Sequence, residues 1–144
     1  NIAVTRWLNL LAHYSGDAEA RSAADNGMKF LTGTGVVTQA YEEAGILLAD
    51  VEVSDDPAHL TVVGAKSDAL AAQLFAVARA AAGGYARVEW WDRAEGPLVN
   101  AEVPYPNLPK AAGYICSAGR CSAPRAAAIA TAGRIQRIWR AATK

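Results

Sequence analysis

Two sulfur atoms offer this chain its one candidate chemistry with a defined spacing. Cys116 and Cys121 are the only cysteines, and they lie in Gly113-Tyr114-Ile115-Cys116-Ser117-Ala118-Gly119-Arg120-Cys121-Ser122-Ala123-Pro124. An apolar run there gives way to an expected helix from about Ser122 or Ala123 to about Ala142. Ser122 as N-cap and Pro124 in the first turn would set Cys121 beside the positive end of that helix, with Arg120 adjacent, an environment that favours a thiolate. Cys121 is then the attacking thiol and Cys116, at a strand end, its resolving partner. The loop through Ala118-Gly119 is long enough to join the sulfurs, provided the Cα atoms come within about 7 Å. The plainer reading makes both residues small apolar core groups, since free cysteine is among the most buried residue types. The residues alone leave both readings open.

The other reactive side chains do not assemble into a site. A structural zinc needs four ligands, and the two histidines, His13 and His59, fall in unrelated segments, so no metal is expected. Gly64-Ala65-Lys66-Ser67 stands between a strand and a helix, where a phosphate could meet free N–H groups. It lacks the G-x-G-x-x-G and G-x-x-x-x-G-K-S/T patterns, so an ordinary βα turn is expected and no cofactor is assigned. Glu42-Glu43, Glu52 and Asp55-Asp56 give no acid/base pair, because neighbouring acids on a helix point apart and acids in a turn are usually solvated. No G-x-S-x-G elbow accompanies the serines.

The elements that must carry these residues are legible from periodicity. Val4, Trp7, Leu8, Leu11 and Tyr14 recur at helical spacing, and Gly16-Asp17 stops one helix and caps a second that runs through Phe30-Leu31. After Gly33-Thr34-Gly35 a third helix places Val37, Ala40, Tyr41, Ala44, Leu47 and Leu48 on one stripe, a face that must be buried. Beyond Ser54-Asp55-Asp56-Pro57 the pattern changes. His59 to Gly64 reads as a strand, Ser67-Asp68 caps a helix bearing Leu70, Leu74, Val77, Ala78 and Ala81 on one face, and Ala86 to Trp91 reads as a second strand. Trp90 and Trp91 must then point to opposite faces. A connection with Pro97, Pro104, Pro106 and Pro109 leads to a third strand, Ala111 to Cys116. The expected fold class is α/β: a small, mostly parallel sheet of about three strands flanked by helices, preceded by a helical segment. The expected division is 1–53 and 54–144.

Composition narrows the class further. The chain has 144 residues, 52% hydrophobic and 19% charged, enough for one sizeable core. Lys plus Arg and Asp plus Glu number 14 each, so no global basic field points to nucleic acid. The longest uncharged run, Phe30 to Tyr41, has 12 residues and includes Thr, Gly and Gln, which excludes a membrane span within it. A cytoplasmic, reducing setting is expected, since two cysteines make no disulfide scaffold. The chain opens at Asn1 without Met, a basic n-region or an apolar h-region, and is expected to be a fragment. Between Lys110 and Lys144 stand seven basic residues (Lys110, Arg120, Arg125, Arg134, Arg137, Arg140, Lys144) and no acid. Ile135, Ile138, Trp139 and Ala142 form an apolar face on the same final helix. That helix is either a solvated amphipathic element or an interaction surface for anions.

Three stretches carry a resemblance. Asn1 to Asp17, with its Asn-x-x-Ala/Val, paired Leu and Ser/Thr-Gly-Asp ending, is followed by Leu60-Thr61-Val62-Val63-Gly64 and then by Tyr-Ile/Val-Cys-x4-Cys-x2-Pro at Gly113 to Pro124. In that order they resemble the C-terminal end of the YyaL-like proteins, which include the spermatogenesis-associated thioredoxin-like proteins. The family joins a thioredoxin-like domain to an (α/α)6 barrel similar to N-acylglucosamine 2-epimerase. The resemblance implies that residues 1–53 close the barrel and the remainder caps it. The family's own Cys-x-x-Cys domain and most of the barrel are absent from this sequence, so no catalytic residue carries over. The expected role is a non-catalytic structural part of a larger protein, whose partner is the rest of the parent chain and which tends to self-associate when isolated. Two alternatives stand beside it: a dithiol redox or thiol-exchange module using Cys121 and Cys116, and an interaction module using the basic C-terminal helix.

Overall fold

A computed structural model describes residues 1–38, 44–117 and 120–124, and the chain divides into two compact units, 1–57 and 58–144. In the first unit α1 (Ile2–Ser15) and α2 (Ala18–Leu31) form an antiparallel hairpin. The turn follows from two adjacent residues. Gly16 adopts φ 70°, ψ 13° and its N–H closes on the Ala12 carbonyl, while the Asp17 carboxylate accepts from the Glu19 N–H. A third, short helix, α3 (Thr34–Val37), precedes α4 (Ala44–Ser54).

The buried face of α1 is not its apolar stripe. Thr5, Asn9, Ala12 and His13 are buried, whereas Val4 and Trp7 are 56% and 60% exposed. The expected buried face of the third helix is likewise open: Val37, Leu47 and Leu48 are exposed, and Ala40 and Tyr41 lie outside the described residues. Hydrogen bonding explains the inversion. Glu52 of α4, 4% exposed, takes a two-pronged contact from Arg6 of α1, Nε and NH2 each lying 2.7 Å from a carboxylate oxygen. Asn9 donates to the Glu52 carbonyl at 2.6 Å and accepts from Arg21 of α2 at 2.7 Å, and Arg21 also reaches His13 at 2.9 Å. These polar groups are satisfied only when turned inward, so the apolar stripe turns out. A small apolar cluster of Met28, Leu31 and Ala49 completes the unit.

In the second unit β1 (Ala58–Val63), α5 (Ala69–Ala81) and β2 (Ala86–Trp91) form a βαβ arrangement, followed by β3 (Ala112–Ser117) and β4 (Arg120–Cys121). The α/β class stands. The sheet has four strands in the order β2-β1-β3-β4, with β1 and β2 parallel and the other two pairings antiparallel. Only the α5 connection is a helical crossover. The proline-bearing segment 92–111 includes a single 3-10 turn, Arg93–Glu95, and delivers β3 running the other way.

Alternation along the strands gives the sheet two unlike faces. Leu60 and Val62 pack with Ala71, Leu74 and Ala78 of α5, joined by Val88 and Trp90. Phe75 meets Trp90 with ring centroids 5.3 Å apart, and Trp91 takes the opposite face. The other face pairs His59 with Arg87 and Cys116, and Thr61 with Glu89 and Tyr114. The connecting segment 92–111 covers it.

Close approach at the end of β1 demands glycine. A Cβ on Gly64 would stand 2.7 Å from the Ala111 Cβ and 3.1 Å from the Ala71 Cβ. Gly64→Ala is expected to cost about 1–3 kcal/mol through overpacking, read as a lower denaturant midpoint with an unchanged slope.

Candidate functional site

The sulfurs of Cys116 and Cys121 are bonded, 2.02 Å apart, and the two residues face each other across the β3–β4 pairing. The sequence expectation that the spacing lets the two sulfurs meet agrees with this bond, and the antiparallel pairing of β3 with β4 sets the two residues opposite each other. Ser122 holds this pairing closed, donating its N–H to the Ile115 carbonyl at 2.8 Å while its hydroxyl accepts from the Ile115 N–H at 3.2 Å. Cys121 therefore lies in a strand. Residues 122–124 are not helical, and the rest of the expected final helix, with Arg125, Arg134, Arg137, Arg140 and Lys144, lies outside the described residues. Among the described residues no helix end lies beside Cys121, and of the bonded pair only Cys116 belongs to an apolar core cluster. The pair is asymmetric: Cys116 is 3% exposed, and Cys121 is exposed.

Behind Cys116 stands a buried polar layer that the sequence reading did not single out. Glu89 is its centre. Its Oε2 lies 2.7 Å from His59 Nε2 and 2.9 Å from Arg87 NH2. Burial opposes ionisation of Glu89, but hydrogen bonds from His59 and Arg87, with the charge of both, hold its carboxyl below the ordinary range. Arg87, 1% exposed, also donates to the Asn100 carbonyl at 2.6 Å and approaches Glu102 at 3.4 Å. These contacts fasten the covering segment to the sheet. Arg93 adds to them by donating to the Tyr105 and Pro106 carbonyls at 2.9 and 3.0 Å.

Tyr105 is set by this fastening. Its ring lies 5.0 Å from that of Tyr114 and 6.0 Å from that of Trp91. Its hydroxyl is 2.8 Å from Thr61 Oγ1 and 3.9 Å from Cys116 Sγ, and Thr61 Oγ1 is 2.8 Å from His59 Nε2. Burial, reinforced by Glu89 and Glu102 against the opposing Thr61 hydrogen bond and Arg87, raises the Tyr105 pKa and keeps its proton in place.

The direction of this chain follows from counting hydrogens. A disulfide sulfur carries none, so Tyr105 donates to Cys116. With the Tyr105 hydrogen turned to Cys116, Thr61 donates to Tyr105. The Glu89 carboxylate only accepts, so His59 carries a hydrogen on Nε2 and donates it to Glu89, with Thr61 Oγ1 2.8 Å from the same nitrogen.

The remaining candidates resolve differently. His13 and His59 belong to separate units and are engaged as described. Glu52 is the buried partner of Arg6 rather than a solvated acid. At Gly64-Ala65-Lys66-Ser67 the Gly64 N–H donates to the Trp91 carbonyl at 3.0 Å and the Lys66 N–H is taken by a carboxylate of the chain itself. Asp92 accepts from Lys66 N–H at 2.7 Å, and Asp68 caps α5 by accepting from Leu70 N–H at 2.8 Å. A cavity of about 240 Å³ adjoins this turn, lined in part by Asp68, Asp92, Arg93 and Tyr114. Among the described residues no helix is long and apolar enough to cross a membrane. Comparison with protein-family models, characterised proteins and solved structures finds no match.

The His59–Thr61 and Arg87–Glu89 spacings were a usable signal. Each puts two polar residues at i and i+2 of a strand, hence on one face.

Because Glu89 ionises more readily folded than unfolded, its contribution is present above the ordinary carboxylate range and lost as pH falls through the lowered value. Glu89→Gln is expected to flatten the acid limb of a plot of melting temperature against pH. An unchanged acid limb would show that Glu89 is not held below its ordinary range.

Proposed function

We propose that this chain is the non-catalytic C-terminal structural part of a larger protein built from a thioredoxin-like domain and an (α/α)6 barrel. In this reading the helices of 1–53 complete the barrel and the α/β remainder, 54–144, caps it. The observation that carries it is the outward apolar surface of the helical unit: Val4, Trp7, Phe30, Val37, Leu47, Leu48 and Val51 are all exposed, Leu47 to 70%. Helices of a closed toroid are apolar on faces that touch their neighbours. A surface of this kind, with its polar side chains spent inside on Arg6, Asn9 and Glu52, is suited to neighbouring helices of the same chain.

The isolated 144-residue chain is expected to associate as its concentration rises, by sedimentation velocity. Trp7→Gln combined with Leu47→Gln should suppress association without lowering stability, because neither side chain is covered. A monodisperse monomer at high concentration that binds no hydrophobic dye would contradict the reading.

A second reading, a thiol–disulfide exchange module, is favoured by one specific observation. The bonded pair offers one exposed residue, Cys121, and one buried residue, Cys116, whose sulfur lies 3.9 Å from the Tyr105 hydroxyl. In a cytoplasmic setting, where thiols are kept reduced, a bonded pair is one that cycles.

A further inference from the structure

The geometry points to Tyr105 as the positioning residue that makes exchange at this disulfide one-sided, so that a dithiol reductant enters at Cys121 and Cys116 leaves. This rests on the exchange reading and goes beyond it by assigning the order of bond breaking and the class of co-substrate.

Attack on a disulfide is in line and needs access to one sulfur from outside. Cys121 is exposed and Cys116 is closed off by the Tyr105 and Tyr114 rings and by the sheet. The departing sulfur takes the electron pair, so the better leaving group is the one whose thiolate is best stabilised. Cys116 Sγ receives the Tyr105 hydroxyl at 3.9 Å, and that hydroxyl is aligned by Thr61, which is aligned in turn by His59 on Glu89. As negative charge develops on Cys116 and its sulfur is released from Cys121, the Tyr105 hydroxyl beside it is the donor that can close on the thiolate. Access and leaving-group stabilisation thus select the same direction.

The steps balance. A thiolate of the reductant attacks Cys121 Sγ, the Cys116–Cys121 bond breaks, and Cys116 departs as a thiolate hydrogen-bonded to Tyr105. The second thiol of the reductant, deprotonated to solvent, attacks its own sulfur in the mixed disulfide and releases Cys121 as a thiolate. The products are an oxidised dithiol and the reduced pair, with two electrons moved. Run in reverse, reduced Cys121 attacks a substrate disulfide and Cys116 resolves it. Tyr105 holds its proton throughout and acts through its hydrogen bond.

The test uses the whole chain in its oxidised form. Glutathione, which cannot complete the second step intramolecularly, is added, the mixture is acid-quenched and alkylated, and the adduct is located by peptide mass. Glutathione on Cys121 with alkylated Cys116 is expected. Tyr105→Phe should slow reduction by dithiothreitol about tenfold, the effect of one lost hydrogen bond to a charged group. In the reduced protein the same variant should shift the pH profile of Cys116 alkylation upward and leave that of Cys121 in place, which a merely structural role would not do. Should Tyr105→Phe fold poorly, Thr61→Val, which removes the donor that aligns Tyr105 at nearly constant shape, is expected to move the same profile. Glutathione found on Cys116, or equal rates and profiles in the variants, overturns the inference while exchange itself survives. A disulfide that resists both reductants under native conditions removes the exchange reading, and the inference with it.

Discussion

The α/β unit is organised by one ionised carboxylate in its interior. Glu89 stands on a strand whose other face packs on α5, and it stays charged there because His59 and Arg87 reach it from two sides. An unpaired charge in that position would cost several kcal/mol, so the partners are obligatory. Their reach determines what else can happen. Arg87, drawn inward, binds Asn100 and Glu102 and brings the proline-bearing segment across the sheet, and His59, oriented by the carboxylate, orders Thr61 and Tyr105. Cys116 is the last atom of this sequence of constraints and Glu89 the first.

The helical unit follows a related rule with a different result. Its interior is also polar, through Arg6, Asn9, Arg21 and Glu52, and the apolar cluster of buried residues among those described is small: Met28, Leu31 and Ala49. Since exposing a large apolar side chain forfeits about 1.5–3 kcal/mol each, an arrangement that turns Trp7, Phe30 and Leu47 outward makes physical sense when another surface covers them.

The parts of this architecture legible in the sequence are those governed by local chemistry. Gly16-Asp17 announced the first hairpin because a left-handed stop and a carboxylate cap need only adjacent residues. Asp68, the β1–α5–β2 unit and the opposed rings of Trp90 and Trp91 were readable for the same reason. What escaped depends on distant partners. The stripe beginning Val4, Trp7 announced a helix but not its buried face, which is set by Asn9 and His13, at the same helical period, through partners on α2 and α4. The strand β4 has two residues and no periodicity to read, and its existence rests on pairing with β3 and on Ser122. Arg87 and Glu89 gave no hint singly; only their register against His59 and Thr61 turns four polar residues into one layer.

The central claim is that the Glu89 carboxylate fixes His59, and through Thr61 the Tyr105 hydroxyl that faces Cys116, which requires a hydrogen on His59 Nε2. Its Nδ1 is buried and has no hydrogen-bond partner among the described residues, while Nε2 faces both Glu89 and Thr61. Nitrogen and proton NMR of the isotope-labelled imidazole in the oxidised protein reads the position of the hydrogen directly. The account predicts hydrogen on Nε2, in slow exchange with solvent because the site is closed. Hydrogen on Nδ1 with a bare Nε2 would leave the Glu89 carboxylate without a donor from His59 and contradict it.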